Sequence, residues 1–291
     1  MTCRPVAVKT ATSGCTASSD SSNPHPKGTD MRIARFVAHD QPAYGVVEND
    51  DSKAVEDLTL TVLQGDPFYQ GVQPTNQTHT VGDVRLVAPI IPRSKIVGIG
   101  RNWADHAQEL GNEVPARPLM FLKPNTSVVG HGDPVTLPSW SEEISYEAEL
   151  AVVIGTICKD VPRERVKDVI FGYTVANDLT ARDAQRNDNQ WARAKGFDGS
   201  CPLGPWIETE LDTDDVRITS HVDGELRQDG TTADMIFDVA ELVATVSEAF
   251  TLLPGDVILT GTPAGVGIVD AGARIEVAVE GIGSLATVLR R

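Results

Sequence analysis

The chain has 291 residues, with 25 Lys+Arg against 41 Asp+Glu and a formal net charge of −16. At about 150 residues per domain this length allows one large domain or two smaller ones, and hydrophobic and charged shares of 41% and 23% are those of a globular chain with a packed core. The acidity argues against phosphate-backbone binding, which needs a basic face to release counterions, and no apolar run approaches the ~18 residues of a membrane span.

Residues 1–30 differ from the rest. They hold ten Ser/Thr and a Pro/Gly-rich end, Ser21-Ser22-Asn23-Pro24-His25-Pro26-Lys27-Gly28, without periodic apolar residues. Val6-Ala7-Val8 is too short for the apolar stretch of about 7–15 residues in a secretory signal. The segment reads as a disordered extension, and Met31 as the start of a first strand.

Residues 31–92 read as a small β-rich region. Ile33, Arg35 and Val37 alternate with Arg32, Ala34 and Phe36, and Tyr44–Glu48 follows a Pro-containing turn as the second arm of a hairpin. The polar stretch Gln64–Val81 reads as loop, and Val84–Pro89 closes the region.

From residue 93 to 291, strand-length apolar runs recur at Lys95–Ile99, Leu150–Ile154, Phe171–Ala176, Arg217–Val222, Asp256–Thr260, Arg274–Val279 and Ala286–Leu289. Helical patterns are fewer: Asn102–Leu110, Arg163–Val169, Thr180–Gln185 and Phe237–Phe250. In the last, Val239, Leu242, Val243, Val246, Ala249 and Phe250 mark one face at spacings of three and four. The mixture predicts a β-rich α+β fold rather than an alternating parallel sheet.

Cys3, Cys15, Cys158 and Cys201 form no Cys-x-x-Cys pair, so neither zinc nor a disulfide framework is indicated, Cys158 reads as a buried thiol and the cytoplasm is the default compartment.

Five segments could carry chemistry. In Tyr146-Glu147-Ala148-Glu149-Leu150, alternation along a strand puts Glu147 and Glu149 on one face, with Cα atoms roughly 6.5 Å apart. Carboxylates so placed repel unless solvated or bridged by a hard cation such as Mg²⁺ or Mn²⁺; the alternative is a solvent-facing strand start. Asp178 follows the apolar run Phe171–Ala176 and either reaches into a cleft or caps the next helix, with Arg182 and Gln185 beside it. His106 and Glu109, three apart on a predicted helix, share a face, so the carboxylate could orient the imidazole as a base or the two could form an exposed pair. Lys123 and Lys195 could each bind a substrate carboxylate or an oxyanion, or lie at the surface.

Gly98-x-Gly100 lacks the third glycine of a dinucleotide fingerprint, since position 103 is Trp, and the glycine-rich stretch 254–267 lacks the Gly-Lys-Ser/Thr ending of a P-loop. The glycines of that stretch could instead let backbone N–H groups approach an anion.

Together these segments resemble one family. Gly-Arg-Asn-Trp-Ala-Asp-His-Ala-Gln-Glu (100–109), Phe-Leu-Lys-Pro (121–124), Tyr-Glu-Ala-Glu-Leu-Ala-Val-Val-Ile-Gly (146–155), Phe-Gly-Tyr-Thr-Val-Ala-Asn-Asp-Leu-Thr-Ala-Arg-Asp (171–183), Ala-Lys-Gly-Phe-Asp (194–198) and Pro-Gly-Asp-Val-Ile-Leu-Thr-Gly-Thr-Pro-Ala-Gly-Val-Gly (254–267) are similar to the fumarylacetoacetate hydrolase family, in its order. The resemblance implies a β-roll-like catalytic domain over residues 93–291 and usually a homodimer. It implies Mg²⁺, Mn²⁺ or sometimes Ca²⁺ held by Glu147, Glu149 and Asp178. It gives His106 and Glu109 the role of a water-activating dyad and sets Lys195 near the metal. Arg182, Gln185, Gly196 and Thr262 fall on substrate-side positions.

The implied substrates are small 2-oxo or dioxo carboxylic acids. The leading expectation is C–C bond hydrolysis of acylpyruvate-type acids such as fumarylpyruvate. The alternatives are isomerisation or decarboxylation of dioates such as 2-hydroxyhepta-2,4-diene-1,7-dioate, or of oxaloacetate, in aromatic-acid breakdown. A non-enzymatic organic-acid binder is the reading from a different class.

Overall fold

The computed structural model describes residues 30–109 and 114–291, apart from the side chains of residues 106–108. The expected N-terminal extension, with Cys3 and Cys15, lies outside the described residues save for Asp30.

Three strands form the centre: Ala148–Ile154, Ile170–Asn177 and Cys201–Glu208. Almost every residue in them is buried, as expected of runs whose apolar side chains point to both faces. Ala148–Ile154 pairs antiparallel with Ile170–Asn177, from Ala148 opposite Asn177 to Ile154 opposite Ile170. The alternation sorts side chains into two cores. Leu150, Val152 and Ile154 pack with Ile218, Ile275 and Val277, whereas Ala151 and Val153 pack with Ile96, Phe171 and Val257. Each fully buried Val, Leu or Ile adds about 1.5–3 kcal/mol.

The large sheet runs from Pro74–Thr80 through Thr59–Leu63, Pro42–Val47 and Arg32–Val37 to the central strands, then through Val257–Leu259 and Ile96–Gly100 to Leu119–Lys123. Arg32 and Ile33 pair with Glu208 and Ile207, so the N-terminal strands continue the sheet that carries the site. A second sheet of Glu225–Thr231, Arg217–Val222, Arg274–Val279, Gly283–Arg290 and Pro134–Thr136 covers one face. The result is the β-rich α+β fold that the sequence predicts. Among the described residues no helix is long and apolar enough to cross a membrane.

Several local expectations change. The stretch expected as loop, 64–81, contains a helical turn, Pro67–Gln70, and a strand, Pro74–Thr80. The turn forms because Asp66 accepts the Phe68 N–H. The strand is polar because it is an edge strand, with its proline at the first position. Arg163–Asp168 is a 3₁₀ helix. Thr180–Ala181, expected as helix, pairs instead with Ile144–Ser145, and the helix is Arg182–Asn187. The long amphipathic helix spans Val239–Ala249, capped by Asp238 through the Glu241 N–H, and buries Leu242, Val243 and Val246.

Candidate active site

The ladder between the first two central strands sets the acidic residues side by side. Beyond the pair Ala148 and Asn177, the Glu147 carbonyl accepts the Asp178 N–H at 2.9 Å, and the Asn177 side-chain oxygen accepts the Glu147 N–H at 3.1 Å. Glu147 and Asp178 therefore face the same way, with Glu149 two residues along. Carboxylate oxygens of the three lie within 4.8 Å of one another. All three are buried, at 4%, 1% and 0% exposure for Glu147, Glu149 and Asp178, so neither a solvent-facing strand start nor a helix cap describes them. The N-cap of the next helix is Ala181.

Burial of these charges is offset by cations. The Lys195 ammonium donates to Glu147 and to Asp178 at 2.6 Å each. Arg182 bonds the other Glu147 oxygen at 2.7 Å, and its guanidinium also donates to Gln185 and Ser145. Lys123 donates to Asp178 at 2.6 Å, to the Ser200 carbonyl at 3.0 Å and to the Lys195 carbonyl. Three carboxylates thus face three cations. Neither lysine is a surface residue. Lys123 is spent on holding Asp178 and the turn that carries Lys195.

The compensation is uneven. Among the described residues Glu149 has no ion pair; its carboxylate accepts the Gly261 N–H at 2.7 Å. Burial first, then the charges of Asp178 and Glu147, hold its carboxyl well above the usual range. For Lys195, burial opposes the charge, but Asp178 and Glu147 outweigh it and keep the ammonium above its usual range. Gly261 has φ +94°, and a Cβ there would lie 2.9 Å from the Asn102 side chain and 3.1 Å from the Ile99 carbonyl, so glycine is what permits this approach. The glycine-rich stretch does bring N–H groups to an anion, and the anion is the protein's own carboxylate.

A cavity of about 310 Å³ opens over the carboxylates, lined by Ile99, Gly100, Arg101, Glu147, Glu149, Arg182, Gln185, Arg186, Trp191, Lys195 and Thr262. Of the substrate-side expectations, Arg182, Gln185 and Thr262 line it. Gly196 does not; it ends the helix Ala192–Gly196 against Pro124. The Thr262 hydroxyl donates to the Ala148 carbonyl at 2.8 Å and accepts from Gln228 at 2.7 Å, so its proton is already used. Arg101 on the cavity wall leads into the helix Ala104–Glu109, termed the rim helix, and Leu110 of the expected helix lies outside the described residues. The His106 side chain is also outside them. The Glu109 carboxylate accepts the Gly265 N–H at 3.1 Å, which ties the rim to the glycine-rich loop.

Sequence reasoning missed Gln228, Arg101 and Trp191. Gln228 is fully buried and joins Ala148 N–H, Thr262 and the Pro263 carbonyl; a lone Gln in the polar run Glu225–Thr231 carries no local signal. Arg101 has a readable signal only in its place between Gly100 and Asn102. Among the described thiols, burial pushes Cys158 up to about 11 and Cys201 up to about 12; Cys158 is half-buried and Cys201 is buried.

Comparison with known proteins bears on this geometry. Residues 95–290 match the family described as "Fumarylacetoacetate (FAA) hydrolase C-terminal", and residues 31–89 match "Rv2993c-like, N-terminal". "Protein Rv2993c" of Mycobacterium tuberculosis is 44% identical over 258 residues, 88% of this chain and 96% of that one. The crystal structure of 2-hydroxyhepta-2,4-diene-1,7-dioate isomerase from Mycobacterium marinum matches with TM-score 0.83 and 41% identity, over 90% of this chain and 98% of that one. That of 5-carboxymethyl-2-hydroxymuconate delta-isomerase from Mycobacterium smegmatis gives 0.82 and 43%, over 90% and 100%.

Proposed function

This chain belongs to the fumarylacetoacetate hydrolase family, and from that premise we propose that it is a divalent-cation-dependent enzyme hydrolysing a C–C bond in small 2,4-dioxo carboxylic acids of the acylpyruvate type. The observation that carries the proposal is the buried group Glu147, Glu149 and Asp178, of which Glu147 and Glu149 line one cavity together with Lys195. Its donors are all carboxylate oxygens, the set that suits hard cations such as Mg²⁺ or Mn²⁺, with Ca²⁺ next. Glu149 fits that role because among the described residues it is the carboxyl of the three that makes no ion pair, and a divalent ion would favour its charged form. A bound divalent ion would act as a Lewis acid on adjacent oxygens of a 2-oxo acid.

The chain's own groups do the rest. Lys195, fixed by two carboxylates, is pre-aimed and needs no reorganisation to stabilise negative charge developing on a substrate oxygen. Arg182 and Gln185 hold each other at 2.9 Å and offer donors on the cavity wall. His106, on the same helix as Glu109, is the proposed base that takes a proton from water.

A second reading, isomerisation or decarboxylation of a dioate, is favoured by the names of the two isomerases above. It uses the same acidic group and needs no attacking water. We further propose a homodimer acting on free small acids in the cytoplasm, without nucleic acid or membrane partners.

The test is turnover of acylpyruvates, fumarylpyruvate, oxaloacetate and hydroxyheptadienedioate with Mg²⁺, Mn²⁺ or chelator, for the native chain and for His106→Ala. The proposal expects chelator-sensitive acylpyruvate cleavage that falls about 10²–10⁴-fold in the variant. Cleavage unchanged by His106→Ala removes the dyad, and dioate isomerisation or decarboxylation without cleavage selects the second reading.

A further inference from the structure

Four cations line the cavity: Arg101, Arg182, Arg186 and Lys195. Three are already committed to carboxylates of the chain. Lys195 is held by Glu147 and Asp178, Arg182 by Glu147, and Arg186 by both oxygens of Glu143 at 2.8 and 2.7 Å. Among the described residues Arg101 has no acidic partner. It is the uncommitted positive charge of the cavity.

Its backbone makes the position unusual. Arg101 sits at φ +60°, in the left-handed region that disfavours residues with a Cβ. Among the described residues the two other non-glycine residues with positive φ are Asp160 and Asp223, a type that tolerates it. Glycine would be cheaper at 101, so a long cationic side chain held there against strain, at the wall of a cavity, points to use of that side chain. The strain is enforced on both flanks. Asn102 is buried and locked by bonds to the Phe237 carbonyl, the Phe237 N–H and the Thr260 carbonyl. Gly100 faces Trp191, whose ring would lie 2.9 Å from a Cβ there.

We propose that Arg101 binds a second, distal carboxylate of the substrate and so makes the enzyme selective for dicarboxylic 2-oxo acids over their monocarboxylic analogues. This rests on the reading that a 2-oxo acid engages the acidic group; Arg101 then serves the other end of the molecule. A guanidinium suits the task because it meets a carboxylate through two parallel N–H donors. The cavity volume of about 310 Å³ lies at the small end of ligand pockets, which fits a short dioate.

The experiment is calorimetric titration of the Mg²⁺-loaded full chain with 2-oxoadipate and 2-oxohexanoate, which differ by a carboxylate in place of the terminal methyl. It is repeated in Arg101→Met, which keeps the apolar stem, and in Arg101→Gly, which removes the strain and so folds at least as well as the native chain. The expected result is tighter binding of 2-oxoadipate to the native chain and loss of that preference in both variants. Affinity for 2-oxoadipate should fall about 10- to 100-fold, while that for 2-oxohexanoate stays within about twofold. If both variants weaken both acids equally, or neither acid, the acidic-group reading stands and the role of Arg101 is overturned. If the native chain binds neither acid, the 2-oxo-acid reading itself fails and this inference with it.

Discussion

Glu147 and Glu149 line the floor of the cavity and Asp178 is enclosed beside them, on or next to the ends of strands buried on both faces, and each oxygen-bearing side chain is fixed by an ammonium, a guanidinium or a backbone N–H. Glu109, on the rim, is exposed and lies on the helix Ala104–Glu109. Asn102 and Trp103 anchor the chain ahead of this helix, and Glu109 accepts an N–H from Gly265 of the glycine-rich loop. The floor is therefore preorganised before any ligand arrives, whereas Glu109 on the rim is exposed and bonded to a neighbouring loop. A fixed charged floor can serve any reaction that builds negative charge on a 2-oxo acid. The proposed choice between hydrolysis and the other reactions then falls to the rim.

Removing Asp178 tests the floor and should have the largest effect. Asp178→Ala leaves Lys123, completely enclosed, with only carbonyl oxygens, and takes one of two partners from Lys195. We expect destabilisation of about 3–5 kcal/mol in chemical denaturation, with loss of Mg²⁺ or Mn²⁺ affinity and of turnover together. Full metal-stimulated turnover in that variant would remove Asp178 from the site.

The rim is separable by Gly265→Ala. Gly265 has φ +101°, and a Cβ would lie 2.2 Å from the Arg227 carbonyl, so the loop must shift and its N–H leaves Glu109. The expected cost is about 1–3 kcal/mol, with hydrolysis reduced and metal affinity within twofold of native. A parallel loss of metal affinity would show that floor and rim are one unit.

The same contrast explains what was legible in the sequence. Glu147 and Glu149 could be put on one face because strand alternation is local, and the glycine-rich stretch suggested anion contact because its reason is backbone freedom. The cations at the floor were not readable as partners: Lys123 and Asp178 are 55 residues apart and meet only through the sheet. The strand Cys201–Glu208 escaped notice because Pro202, Gly204 and Pro205 contradict strand propensity, although it joins the N-terminal strands to the centre. Likewise Pro74–Thr80 read as loop because an edge strand needs no apolar face. Resemblance to a family supplied the grouping of Glu147, Glu149 and Asp178, which no periodicity contains.

Glu208 gives the smallest predicted effect and serves as a control for the floor. It is 2% exposed at the junction of Cys201–Glu208 with Arg32–Val37, away from the cavity. The side chain of Arg32 approaches it only to 3.7 Å, against 2.6 and 2.7 Å for the cations on Glu147. Burial, with a hydrogen bond to Asp30, therefore pushes its carboxyl up from 4.5 to about 8. Between those values the folded chain keeps a proton that the unfolded chain has released. The associated stability is thus fully present below about pH 4.5 and is lost as pH rises through about 8. Glu208→Gln keeps the shape and removes the titration, so between pH 5 and 9 its melting temperature should decline less than that of the native chain. The difference at pH 9 should be on the order of a few kcal/mol in favour of the variant. Parallel melting curves would mean that Glu208 is already ionised and that one cation at 3.7 Å suffices to hold a buried carboxylate. The short lysine and arginine contacts at the floor would then be placed for aiming donors rather than for keeping acids charged.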